Sequence, residues 1–141
     1  MSARSGAASA KVFLDTNILV YAFSNDARAG RAQDLLASGG TISAQGLNEF
    51  ASVMRRKLGK PWTEIRGMLA DIELVCPTIV PLSADTHRRA VAIAEKHGFT
   101  IFDSAMLAAA LEAGCEAFLS EDLHHDMMIG GRLRIENPFR P

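Results

Sequence analysis

The chain has 141 residues, a formal net charge of −1, 48% hydrophobic residues and 22% charged residues, the balance of one folded domain and not of a disordered chain. Its longest uninterrupted apolar run, Ala105 to Leu111, is far shorter than the roughly 20 residues that span a bilayer, so a transmembrane helix is excluded. Residues 1–10 are small and polar, without the apolar stretch of a signal peptide, and Cys76 and Cys115 stand alone, so the expectation is a cytoplasmic protein with reduced thiols.

The first ten residues read as a flexible tail, with one domain over 11–141. Lys11-Val-Phe-Leu-Asp15-Thr-Asn17 is a short apolar run of the kind that makes a buried parallel strand. Thr16 or Asn17 is placed to cap a helix over 18–23. Residues 27–38 carry Ala32, Leu35 and Leu36 at helical spacing and end at Gly39-Gly40. Thr41 to Ser43 is a minimal strand, and Ser43 caps a helix over 44–58. That helix places Leu47, Phe50, Val53 and Met54 on one face. Residues 62–74 are helical, 78–82 a strand, 83–97 a helix closed by Gly98, and 101–113 a strongly apolar helix closed by Gly114. Strands at 117–120 and 133–135 complete the chain. Strands alternating with helices predict an α/β domain with about five parallel strands and helices on both faces.

In such a sheet, sites form past the carboxyl ends of the strands. Asp15 ends the first strand, Asp103 opens the apolar helix, and Asp122 lies just past the strand at 117–120. Glu49 sits on the second turn of the helix capped by Ser43. Carboxylates that converge repel one another when desolvated. A hard divalent cation such as Mg²⁺ or Mn²⁺ relieves that repulsion, and it suits phosphodiester chemistry. Each residue also has a plainer use. Asp15 suits a helix cap, Thr100-x-x-Asp103 a capping box, Glu49 a solvated helix face and Glu121-Asp122 an ordinary charged loop. Periodicity alone does not bring the four together.

Four segments in order carry a resemblance. They are Val12-Phe-Leu-Asp15-Thr-Asn17-Ile, Asn48-Glu49-Phe, Phe102-Asp103-Ser-Ala-Met-Leu-Ala-Ala-Ala110 and Leu119-Ser-Glu-Asp122-Leu. At these spacings they resemble a PIN domain. The ending Gly131-Arg-Leu-Arg-Ile-Glu-Asn-Pro-Phe139 resembles that of the VapC-type toxins within the family, and the likeness covers roughly residues 11–139. It implies a Mg²⁺- or Mn²⁺-dependent ribonuclease with Asp15, Glu49, Asp103 and Asp122 as its acidic site. Asp15 and Asp103 would hold the ion, with Asp122 direct or through water, and Glu49 would orient a water or a second ion. Thr16, Asn17 and Ser120 match supporting polar positions. Glu121 and Asp126 also lie near in sequence, and the motif does not decide whether either assists. The resemblance further implies a cognate antitoxin, an RNA substrate (tRNA, rRNA or mRNA) and a homodimer.

Charge is unevenly spread. Residues 1–60 carry a net +4, residues 61–131 a net −7 and residues 132–141 a net +2. Arg55, Arg56 and Lys57 are the candidates for RNA phosphates, although cations at a helix C-terminus also suit the macrodipole. His87, His97, His124 and His125 show no zinc spacing. Two other functions share parts of the pattern. One is a PIN-type nuclease of RNA maturation that has no antitoxin. The other is a Mg²⁺-dependent phosphotransfer or phosphatase domain. The phosphatase pattern wants a second Asp where Asn17 stands, and the receiver pattern wants a Lys, of which residues 111–131 have none.

Overall fold

The computed structural model describes residues 11–141; the expected N-terminal tail lies outside them. In chain order the elements are β1 (Val12–Leu14), α1 (Thr16–Ala22), α2 (Ala29–Ala37), β2 (Ile42–Ser43), α3 (Ala44–Arg56), α4 (Trp62–Val75), β3 (Ile79–Val80), α5 (Ala84–His97), α6 (Ile101–Glu112), β4 (Ala117–Leu119), β5 (Met128–Ile129) and β6 (Leu133–Glu136). The main sheet has the order β1-β4-β6-β5, and β2 pairs with β3 in a second ladder. Pairs β1–β4, β4–β6 and β2–β3 are parallel. A bridge between Phe13 and Thr41 joins the two ladders. The expected α/β architecture is therefore present, with one difference. The main sheet holds four strands, and its edge strand β5 runs antiparallel to β6. Two residues are too few to give β5 a periodic signature.

The strands are two to four residues long. Phe13 and Phe118 point to one side and stack with their rings 5.2 Å apart and nearly parallel. Leu14 and Leu119 point to the other side. This alternation with both faces buried is what a parallel sheet requires. One core lies under α1 to α4, with Ile18, Phe50 and Ile65 fully buried. The other lies under α6, whose residues from Ser104 to Ala110 are all buried. A helix that is apolar all round must be covered on all sides, and α5 packs along its outer face.

Caps fix the helix starts. The first helix begins two residues earlier than expected, and its N-cap is neither Thr16 nor Asn17. Asp15 is extended, and its carboxylate accepts from Thr16 N at 2.7 Å. Ser43 accepts from Gly46 N at 3.0 Å, and Thr100 accepts from Asp103 N at 3.1 Å. At α5, Ser83 accepts from Thr86 N at 3.0 Å, and Gly98 closes the helix with a left-handed φ of 77°. Ser83→Ala should therefore destabilise the fold by about 1 kcal/mol, measured by urea unfolding. An unchanged midpoint would show that the cap contributes nothing.

Because β1 and β4 are parallel neighbours, their carboxyl ends lie side by side. Asp15 N donates to Leu119 O at 3.0 Å, so the two chain segments leave the sheet together. This places the start of α1 beside the turn at 120–122.

Candidate active site

Asp15, Glu49, Asp103 and Asp122 line one cavity of about 280 Å³, together with Thr16, Asn17, Val20, Tyr21, Val53 and Lys57. Four elements supply the acids: the end of β1, the middle of α3, the first turn of α6 and the turn after β4. The sequence places Asp15 and Asp122 past strand ends and Asp103 at a helix start, and the fold brings Glu49 to the same cavity.

Asp15 is the centre of the polar network. It is only 5% exposed. Ser120 Oγ donates to one carboxylate oxygen at 2.7 Å, and Thr16 N donates to the other at 2.7 Å. Burial pushes its carboxyl up to about 7, and Asp103 and Glu49 add to the rise; the bonds from Ser120 and Thr16 oppose it without cancelling it. Asp103 is also raised, chiefly by burial and then by the charge of Asp122, against the bond to Thr100. Only half of the capping box is made: the Asp103 backbone N–H donates to Thr100. Glu49 accepts from Thr16 Oγ1 at 3.4 Å and from Gln45 Nε2 at 2.7 Å.

The supporting positions converge as well. Asn17 Nδ2 donates to Asp122 Oδ2 at 3.0 Å and lies 3.4 Å from Ser120 Oγ and 3.5 Å from Asp15 Oδ2. Ser120 Oγ also accepts from Asp122 N at 3.2 Å. One amide and one hydroxyl therefore tie the first acid to the last.

The three basic candidates divide. Lys57 lines the acidic cavity, and Arg56 and Lys57 line a second hollow next to it with Ser52 and Val53. Arg55 turns away: its Nη1 donates to Lys60 O at 3.1 Å, and its guanidinium lies 5.7 Å from the centre of the Trp62 ring. Glu121 and Asp126 also face elsewhere. Glu121 binds Arg28 and Tyr21, and Asp126 lies within 3.6 Å of His125 and 3.8 Å of Arg134 on the surface. His125 Nδ1 accepts from Asn137 N at 3.0 Å, a tie between loops. Tyr21 is the residue that sequence reasoning missed. It reads as one more apolar-helix position, and only its place on the cavity wall marks it out.

The donor set is all oxygen, which suits a hard cation. The rises at Asp15 and Asp103 come chiefly from burial, with smaller contributions from neighbouring carboxylates; a cation bound there would favour the ionised forms. Among the described residues no three carboxylates, imidazoles or thiols stand close enough to cage an ion unaided. Mg²⁺ usually takes one or two carboxylates and keeps several waters, so the residues present fit it.

Residues 12–128 match the PIN domain family. The chain belongs to that family. A comparison with curated proteins gives no match. Among solved structures, the PIN domain here is similar to Mycobacterium tuberculosis VapC20, described as a sarcin-ricin loop cleaving toxin. The identity is 23% and the TM-score 0.64, over 77% of this chain and 87% of that one. It is similar to a chain of a toxin–antitoxin complex from Klebsiella pneumoniae at 21% identity and TM-score 0.69, over 93% and 100% of the two chains. It is also similar to a chain of VapBC2 from Rickettsia felis, solved with a fragment of promoter DNA, at 18% identity and TM-score 0.64, over 89% and 98%. At these identities the shared property is the fold. Among the described residues no helix is long and apolar enough to cross a membrane.

Proposed function

We propose that this PIN domain is a Mg²⁺- or Mn²⁺-dependent endoribonuclease and the toxin of a toxin–antitoxin pair. The observation that carries the proposal is the convergence of Asp15, Glu49, Asp103 and Asp122 on one cavity beside Lys57. Asp15 and Asp103 would hold the ion, with Asp122 reaching it through a water and Glu49 orienting another. Bound there, the ion supplies a Lewis acid that makes water a better nucleophile and offsets charge on the phosphoryl group.

The chain's own side chains have separate tasks. Ser120 and Thr16 aim the Asp15 carboxylate. Asn17 donates to Asp122 and so fixes the direction of that carboxylate. Gln45 and Thr16 each take one oxygen of Glu49, which fixes its direction. Lys57 and Arg56 are placed to meet the phosphates flanking the cut, and such contacts give affinity without sequence choice.

The antitoxin part draws support from the toxin–antitoxin structures that share this fold and from apolar side chains left exposed at both ends of α4. Leu58, Trp62, Leu74 and Val75 are all exposed on and before α4. An apolar cavity of about 230 Å³ lies at the C-terminal end of α4, lined by Ala22, Phe23, Leu36 and Val75. An antitoxin segment would run along α4 and cover both ends. A second exposed group, Leu82, Val91, Ile101 and Phe102, would be covered by pairing of the chain with itself.

Two measurements test the proposal. Purified protein should cleave single-stranded RNA with Mg²⁺ or Mn²⁺ and stop in EDTA; cleavage that survives chelation removes the metal mechanism. Expression without a partner should arrest bacterial growth, and the Asp103→Asn form should not. Metal-dependent cleavage by a harmless protein would point to RNA maturation instead.

A further inference from the structure

Arg28 lies outside the cavity, just before α2, and its guanidinium joins three parts of the chain. Nη1 donates to both carboxylate oxygens of Glu121, at 2.7 and 2.6 Å. Nε and Nη2 donate to Asp26 at 2.7 and 2.8 Å. The same guanidinium stands 4.2 Å from the centre of the Tyr21 ring, and the Tyr21 hydroxyl donates to Glu121 at 2.5 Å. Phe139 packs edge-on against that ring, with centres 5.4 Å apart.

Glu121 immediately precedes Asp122, whose carboxylate accepts from Asn17 Nδ2 at 3.0 Å, and follows Ser120, whose hydroxyl donates to Asp15 at 2.7 Å; the backbone N–H groups of 121 and 122 are held more loosely. Glu121 N donates to Asn17 Oδ1 at 3.5 Å, and Asp122 N donates to Ser120 Oγ at 3.2 Å. Both are at or beyond the long end for an N–H donor. At Glu121 itself the charge-assisted bonds to the side chain are the tight ties, against a backbone bond of 3.5 Å.

We propose that Arg28 is a positioning residue for the cation site: by clamping Glu121 against Tyr21 it fixes the turn that presents Asp122, and it holds Glu121 out of the ligand set. The proposal rests on the metal-dependent function proposed above and adds to it a device more than one residue removed from the ion. Arg28 has a competing effect that makes the idea testable. As a bare positive charge it repels a cation, so its removal would tighten binding. As an anchor, its removal loosens Asp122 and weakens binding. The two effects have opposite signs.

The experiment is calorimetric titration of Mn²⁺ into the full chain without RNA, for wild type, Arg28→Met, Glu121→Gln and the double variant, with melting temperatures alongside. Arg28→Met should raise the Kd about tenfold, in the range seen when outer partners of a metal site are removed. Glu121→Gln should act in the same direction. The double variant should be no worse than the poorer single, because both changes remove one tie. Arg28→Lys keeps the charge but lacks the fork that holds Asp26 and Glu121 together, so its Kd should fall between. Tighter or unchanged Mn²⁺ binding by Arg28→Met overturns the proposal, and so do losses that add in the double variant. A lowered melting temperature with unchanged Kd assigns Arg28 to stability alone and also overturns it. Arg28→Lys carries the test by itself if Arg28→Met does not fold: the charge is kept, so a raised Kd reports the lost fork and an unchanged Kd overturns the proposal. A wild type that binds no Mn²⁺ would remove the metal-dependent function itself, whereas unchanged variants of a protein that does bind would remove only the anchor.

Discussion

Asp15→Asn and Asp103→Asn should each lower the rate of RNA cleavage by about three orders of magnitude or more while leaving a folded protein. The amide keeps the shape of the carboxylate but loses its charge and one acceptor. At Asp103 the fold has little to lose, because Thr100 caps α6 through the backbone N–H of residue 103, which the substitution leaves in place. At Asp15 one oxygen can still accept from Thr16 N, while the new NH₂ group faces Ser120 Oγ, whose hydroxyl must turn to accept. Glu49→Gln should have a milder effect, about tenfold, since Gln45 can still donate to the remaining oxygen while the Thr16 hydroxyl turns to accept from the new NH₂ group. The measurement is single-turnover cleavage of an end-labelled RNA in saturating Mg²⁺. Near-normal rates for both Asp variants would remove the site assignment. Equal loss at all three positions would show instead that Glu49 holds the ion directly.

The metal-free protein should lose stability as the pH rises from 5 to 8, and Asp15 should be a principal cause. Its carboxyl stands at about 7 in the fold, against an ordinary value of 3.8, chiefly because it is buried. A raised carboxyl pKa means that the folded state resists ionisation. Above about 4 the unfolded chain gives up this proton while the folded one keeps it, so stability falls with pH until the folded group also ionises near 7. The two pKa values put that loss at about 3 kcal/mol between pH 5 and 8. Asp15→Asn removes the titration, so the variant should lose less stability over the same interval and be more stable than wild type at pH 8. Saturating Mg²⁺ should oppose the fall in wild type, because it binds the ionised site and hardly the unfolded chain; at a hundred times its Kd it adds about 2.7 kcal/mol. Urea unfolding in EDTA and in Mg²⁺, at pH 5 and pH 8, gives all eight values. Parallel pH slopes for wild type and variant in EDTA would show that Asp15 is ionised at ordinary pH and that its burial is not the source of strain.

Much of the fold is local and was legible in the sequence. Ser43, Ser83 and Thr100 cap the helices they precede, since a hydroxyl that satisfies a free N–H acts within three residues. The apolar run from Ala105 to Leu111 makes α6 the buried helix, because only full coverage satisfies such a segment. Asp15 and Asp122 follow strands, and adjacent parallel strands must end side by side. Which of Asp15, Thr16 and Asn17 caps the first helix was not legible, because Asp, Thr and Asn in succession all cap well; the fold uses Asp15.

Other features depend on pairings that no local pattern carries. Glu49 reads as a surface residue until α3 is laid against α1 and α6. Arg55 and Lys57 are two positions apart, a rotation of about 200° on a helix; the sequence offers them as equals, and packing sends one to Trp62 and the other into the acidic cavity. Arg28 and Glu121 are 93 residues apart, and each alone is an ordinary surface charge. The sequence by itself determined which helices form, which strands are buried and which acids stand at strand ends, because capping, periodicity and burial act over a few residues. Only the tertiary structure decided which charges meet, because the energy of a charge depends on what the fold places within a few ångströms of it.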